Sequence, residues 1–487
     1  MEPPRGLRVV VVGSGLAGLA CARDLARAGL HVTVVTPAGA GRDGATHRVH
    51  ALAPWILLSA PWVSGDSPSA FLADLQRRGA GLGRPGLVDI LAANAHDSAE
   101  ELRETLALSP LSDTPVHLPG DSYPRGLRCL APRSGPLLAP LVAQGTAAGI
   151  RWRERTLTIG LGFAHDRVAG VLTLGRATGA VEELPADLVI LACGGIGAVF
   201  PVSTVPRWCR GTGIALAAAG GVLLHRPGLT QALPVTAEPP PYFPTTAVLL
   251  GGGVTVDGRT VAPSGDLATL TLTIAQALRA GRAVALLPDA DSGLPSRVLA
   301  QAKAEAGGRL RLALAMHHGV GGVAIDEWGR TSTPGLYACG EAAGGVQGES
   351  RTMGTGLLEA WIFGRRAAAA ALRDIRRLGP TSGPTELRAP TWPADPVRVE
   401  AELDGLLAAL YVIRPKPEVA RALARMAAFE ELAAVRGQAV ALAGIRLAAA
   451  RAILAAVLEA EDPLAGDAVE RVSTNGRFVE GAWTRSV

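Results

Sequence analysis

The segment that most restricts this chain is Gly13-x-Gly15-x-x-Gly18, set between the run RVVVV (residues 8–12) and the run LACARDLARAG (residues 19–29). RVVVV has the length and β-branched content of a buried parallel strand. LACARDLARAG reads as an amphipathic helix that stops at Gly29, and HVTVVT as a second strand. Strand, glycine turn, helix and strand in this order make one βαβ unit. Gly13 allows the tight turn, Gly15 lets the backbone approach a pyrophosphate, and Gly18 lets the helix pack closely on the strand. The helix N-terminus offers free N–H groups and a positive dipole end, so Ser14, Leu16 and Ala17 join the candidate contacts of a bound dinucleotide. The second strand of such units usually ends in an acidic residue that holds ribose hydroxyls. Here the position is Thr36, followed by Pro37. Either the hydroxyl substitutes, or the adenosine end is held loosely.

Two later segments repeat the strand-to-glycine pattern. LACGGIGAVF (191–200) leads into GTGIALA, and LYACGEAAGG (336–345) runs into Gly340-Glu341. In flavoproteins of this build, a late strand and an acidic residue close over the ribityl and pyrophosphate. Gly194, Gly195, Thr212, Glu341, Gly356 and Leu357 are therefore candidate FAD contacts, the last two mainly through backbone. Three such motifs in this order are far more specific than one.

A chain of 487 residues exceeds one compact core and predicts roughly two to four domains. Hydrophobic residues at 48% and charged residues at 18% describe a globular chain, not a disordered one. Its only lysines are Lys303 and Lys416, and the arginines that carry the net charge of +4 are scattered, which gives a nucleic-acid role little support. The five cysteines form no CxxC pair, which argues against a disulfide framework or structural zinc and favours a reduced, cytoplasmic setting. No uninterrupted apolar stretch reaches the roughly 18 residues of a membrane span, so no membrane partner is expected.

The predicted class is α/β: a Rossmann-like FAD-binding domain with an inserted α+β capping domain and a C-terminal helical bundle. The expected divisions are 1–221 and 313–376 for the FAD-binding domain and 222–312 for the cap. A linker rich in Pro, Ser and Thr follows at 377–397, then a helical domain at 398–487, with the residues after Pro463 read as a tail.

The chain resembles the fumarate reductase/succinate dehydrogenase flavoprotein superfamily, and within it the L-aspartate oxidases. The stretches that carry this are VVVVGSGLAGLACARDLA, GDSPSAFLADLQRRGAGL, LVILACGGIGAVF with GTGIALA, LYVIRPKPEVARALARM, and above all the segment from His317 to Ala368. The respiratory members attach FAD through a histidine. Ala45 stands at that position here, with His47 and His50 nearby, so the resemblance implies FAD held non-covalently. It implies that His317 and Arg351 bind substrate carboxylates, a role that suits an arginine fork. It also implies oxidation of L-aspartate, or a related dicarboxylate, to iminoaspartate. O2 or fumarate would be the acceptor, and quinolinate synthase the next enzyme toward NAD.

Several positions depart from the family pattern. Its catalytic arginine aligns with Leu270, in a stretch that starts at Asp266. Its Q-F-H-P-T histidine aligns with Ala232, with His225 nearby. Its E-G-G-H-S loop corresponds to Leu118-Pro-Gly-Asp-Ser, and its Q-G-G to His50-Ala51-Leu52. These changes are compatible with a slow aspartate oxidase or with one whose groups are relocated, Thr269, Thr271 and His225 being candidates. A relative with another substrate and a non-catalytic FAD-binding protein are the remaining readings.

Overall fold

The computed structural model describes residues 6–47, 55–118, 120–132, 136–238, 243, 253–261, 267–287, 300, 308–381, 383, 385–432, 434–435, 437–459, 475–479 and 482–485. The expectations about His50-Ala51-Leu52 and Asp266 lie outside these residues.

Arg8–Val12 is the middle strand of a five-stranded parallel sheet, in the order Leu336–Ala338, Leu188–Leu191, Arg8–Val12, His31–Val35, Arg151–Arg153. Val9 to Val12 are all buried, as expected of a strand covered on both faces. The three motifs read from the sequence thus end three neighbouring strands of one sheet, which brings their glycine turns to one edge. Helix Leu16–Arg27 follows the first turn and packs on helix Gly356–Leu378. Two glycines make the turn possible. Gly13 has φ +109°, and a Cβ there would lie 2.3 Å from the Ala192 carbonyl oxygen. A Cβ at Gly18 would lie 2.1 Å from the Gly13 carbonyl oxygen. No side chain fits at either position.

The helical stretch expected after residue 67 is two helices, Pro68–Arg78 and Pro85–Thr105. Ser67 caps the first by accepting from the Ala70 N–H at 3.1 Å, with proline at the first helical position. Arg125, fully buried, donates to Asp66 from Nε at 2.7 Å and to Asp74 from Nη1, pinning this helix to the strand Gly126–Leu130. Burial raises the Asp74 carboxyl, but the Ser122 N–H, Arg125, the Ser122 hydroxyl and Arg77 outweigh it and hold the group at about 2. A carboxyl depressed in the folded state stabilises the protein above the ordinary carboxylate range, and that contribution is lost as pH falls through about 2. Arg125→Ala is expected to cost about 3–5 kcal/mol, because it strands two buried carboxylates. Urea unfolding at pH 7 and at pH 3 checks this: the deficit should shrink at the lower pH.

A second sheet has the order Thr230–Thr236, Leu310–Gly319, Val284–Leu286, Val254–Val256, Arg259–Thr260. Helix Leu267–Arg279 packs on it over an apolar cluster of its own that includes Val254, Leu270, Ile274, Leu286 and Leu310. The strand Leu310–Gly319 leads from this sheet back to the edge of the parallel sheet.

Within 377–397, Glu386–Arg388 adds an edge to the antiparallel meander Thr156–Ala164, Arg167–Gly175, Val181–Pro185. Trp392 is buried and pairs with Leu432. Three helices follow, Pro396–Ala408, Lys416–Ala427 and Gly437–Glu459. The last is the one helix among the described residues long and apolar enough to cross a membrane, but 78% of its most apolar window is buried inside the protein. Arg446 interrupts its apolar run, donates to the Val199 carbonyl at 2.8 Å and pairs with Glu400, which ties the helix to the FAD-binding core. Beyond Pro463, the described residues form a hairpin, Asn475–Val479 with Ala482–Arg485, added to the strand Leu224–His225.

Candidate active site

A single cavity of about 700 Å³ runs along the edge where the three glycine turns meet. At one end it is lined by Gly13, Ser14, Gly15, Leu16, Ala17, Asp43 and Ala45, at the other by Gln231, His317, His318 and Arg351, with Gly194, Thr212, Glu341, Gly356 and Leu357 between. Gly18, Thr36 and Gly195 stand behind its wall. Gly195 is where Glu341 packs, since a Cβ there would lie 1.9 Å from Glu341 Oε1.

At the glycine-turn end, the acidic group lacking at Thr36 arrives from elsewhere. Asp43 is buried beside Ser14 and Thr36. The Ser14 hydroxyl donates to Asp43 Oδ1 at 2.9 Å, and the Thr36 hydroxyl donates to Oδ2. Ser14 Oγ also accepts from the Gly41 N–H at 2.9 Å. Burial raises the Asp43 carboxyl above its ordinary value, with the two hydroxyls opposing it. Sequence reading missed Asp43, because it stands in a glycine-rich loop eight residues past the end of the strand at Val35, where no periodicity marks it.

This end fits the pyrophosphate of FAD. A Cβ at Gly15 would meet nothing within 4 Å, which is the open approach a phosphate needs. Helices Leu16–Arg27 and Gly356–Leu378 both direct their N-termini at the cavity, where free N–H groups suit an anion. Ala45 lines the wall and its methyl cannot form a covalent link; His47 does not line the cavity.

The far end is set by a β-bulge. Gln231 pairs with His318 and Ala232 with Met316, so His317 is the extra residue. Consecutive residues of a regular strand face opposite sides, and the bulge breaks that rule. His317 and His318 therefore both line the cavity, with Gln231 and Leu233 from the partner strand.

His317 Nδ1 lies 2.7 Å from Thr204 Oγ1 and Nε2 lies 2.9 Å from Arg351 Nη2. Burial and then the neighbouring guanidinium push this imidazole well below its ordinary value, so it is neutral. Arginine can only donate. Nε2 is thus the acceptor, and Nδ1–H donates to Thr204. Arg351 spends Nη2 on this contact, while its buried Nε has no hydrogen-bond partner among the described residues. Burial lowers the guanidinium from its ordinary value, and Glu341 and Glu359 oppose that. The pair forms a cationic fork on the cavity wall.

The positions that depart from the family pattern sit elsewhere. Leu270 is buried in the cap cluster and does not line the cavity; Leu267 is the lining residue of its helix. Ala232 is buried on the other face of its strand, and Thr269, Thr271 and His225 do not line the cavity. Leu118 does line it.

A parallel sheet with three glycine turns on one edge, and a cavity joining them to a buried arginine, defines a dinucleotide-binding oxidoreductase. Residues 8–357 match the family described as FAD binding domain. The chain is 32% identical to L-aspartate oxidase of Caulobacter vibrioides, over 94% of this chain and 92% of that protein. It is 30% identical to L-aspartate oxidase of Streptomyces coelicolor, over 86% and 79%. Among solved structures, the Mycobacterium smegmatis Sdh1 complex in the apo form superposes with a TM-score of 0.75 and 25% identity, covering 95% of this chain and 89% of that one. The chain belongs to the FAD-binding family of flavoenzymes that includes the L-aspartate oxidases, and it is an FAD-dependent enzyme.

Proposed function

We propose that this enzyme oxidises L-aspartate to iminoaspartate. The observation that carries the reading is the Arg351–His317 fork, held in the same cavity as the glycine turns. The guanidinium, with Nε uncommitted, is suited to a substrate carboxylate in a bidentate fashion. Neutral His317 orients it, and Thr204 holds the His317 tautomer. Gly13, Ser14, Gly15, Leu16, Ala17, Gly194, Thr212, Glu341, Gly356 and Leu357 would hold FAD, while Gly18, Thr36 and Gly195 support them from behind. When bound, FAD supplies the acceptor of two electrons. The protein's own part is to fix the amino acid by its carboxylates, to exclude water and to take a proton from its amino group. O2 or fumarate would regenerate the oxidised cofactor, and quinolinate synthase would consume the iminoaspartate. The five free cysteines suit a reduced, cytoplasmic setting.

A second reading, oxidation of another amino acid or a 2-ene acid, is favoured by the apolar residues of the cavity lining, among them Leu233, Phe243 and Leu267. Anaerobic addition of L-aspartate to the purified yellow protein separates the two. We expect the flavin band to bleach. A band that dithionite reduces and L-aspartate leaves unchanged would rule out aspartate and turn the search to other amino acids.

A further inference from the structure

We propose that His318 is the general base that accepts the proton of the substrate's ammonium group, with Glu341 as its positioning residue. This rests on the amino-acid oxidase reading above. His317 is excluded from the role, because both its ring nitrogens are committed, to Thr204 and to Arg351. His318 is differently placed. Its Nδ1 lies 3.4 Å from Glu341 Oε2, and no described residue is hydrogen-bonded to its Nε2. The residue lines the cavity next to the fork that would hold the carboxylate. Glu341 is itself fixed, since its Oε1 accepts from the Gly319 N–H at 2.9 Å. An imidazole with one nitrogen on a carboxylate and the other open to the substrate space is the arrangement a general base requires.

The groups that face His318 are consistent with this. Glu341 comes from the turn after the last parallel strand, Glu359 from helix Gly356–Leu378, Arg351 from the loop before that helix, and His317 from its own strand. Gln231 is its cross-strand neighbour. Burial raises both carboxyls, but His318 and the Gly319 N–H outweigh it at Glu341, which is held below its ordinary value while Glu359 stays above its own, so Glu341 is the counter-charge for an imidazolium formed at His318.

The step balances simply. An N–H bond of the ammonium breaks, its electron pair stays on nitrogen, and the proton goes to Nε2 of His318. The pair left on nitrogen is the one that forms the C=N bond when Cα is oxidised.

The test uses the holoenzyme and His318→Gln. Three quantities are read: the anaerobic bleaching rate with L-aspartate against pH, the flavin content, and the Kd for succinate, a dicarboxylate with no amine. We expect the bleaching rate to fall by ~10²-fold or more and its acid limb to disappear. Flavin content should be unchanged, and succinate Kd should stay within about threefold, because Arg351 and His317 remain. Added imidazole should restore part of the rate in His318→Ala, which a packing role would not allow. A variant that bleaches within about threefold of wild type with its acid limb intact overturns the assignment alone. Wild-type flavin that L-aspartate does not bleach overturns the aspartate reading and this assignment with it.

Discussion

Arg351→Gln is expected to lower kcat/KM for L-aspartate by about a thousandfold, near 4 kcal/mol, while flavin content is unchanged. Removing one partner of a buried, charge-assisted pair typically costs 2–5 kcal/mol or more. Here the loss falls twice. The substrate carboxylate loses its fork, and His317 Nε2 loses the donor that holds the ring in place. Arg351→Lys is expected to recover little, since an ammonium cannot span both a carboxylate and His317 as the planar guanidinium does. Steady-state kinetics with a fixed acceptor measure both variants. A loss smaller than about tenfold would mean that the carboxylate sits elsewhere in the cavity.

Gly15→Ala and Gly18→Ala should part company, although the two residues belong to one motif. At Gly15 a Cβ meets no protein atom, so the apoprotein should unfold at the wild-type urea concentration. The same methyl points into the space a pyrophosphate needs. FAD affinity should drop by about ten- to a hundredfold, or about 1–3 kcal/mol of overpacking. At Gly18 a Cβ would lie 2.1 Å from a backbone carbonyl, which cannot move without the turn. That variant should lose both apoprotein stability and flavin. Equal effects at the two positions would contradict the direction assigned to the cradle.

The first of these variants rests on what the family resemblance implied, that His317 and Arg351 near the third glycine motif bind substrate carboxylates. The motifs were legible because strand, turn and helix are local. A buried parallel strand must be continuously apolar, a tight turn needs glycine, and an amphipathic helix repeats every three to four residues. RVVVVGSGLAGLACARDLARAG carries all three signals in one continuous run. The likeness of His317 and Arg351 to family positions was legible for the same reason, since each lies inside a continuous matching stretch.

Positions in the inserted segment were not legible in that way. Leu270 aligned with a catalytic arginine, yet it fills the cap's own core, and the cavity wall is Leu267. Leu267 and Leu270 stand one helical turn apart on the same face, so it is the placement of the helix on the sheet beneath that sets which of them reaches the cavity.

The sequence by itself determined the βαβ unit and the kind of cofactor, because each is written in contiguous residues. Tertiary structure alone decided three things. It brought Asp43 to the acidic place left by Thr36, through a loop whose path no periodicity encodes. It turned His317 and His318 to the same side, because an extra residue in one strand has meaning only against its partner. It set Glu341 against His318, because the turn after one sheet's last strand meets the end of another sheet there, and that meeting is a matter of packing between segments distant in sequence.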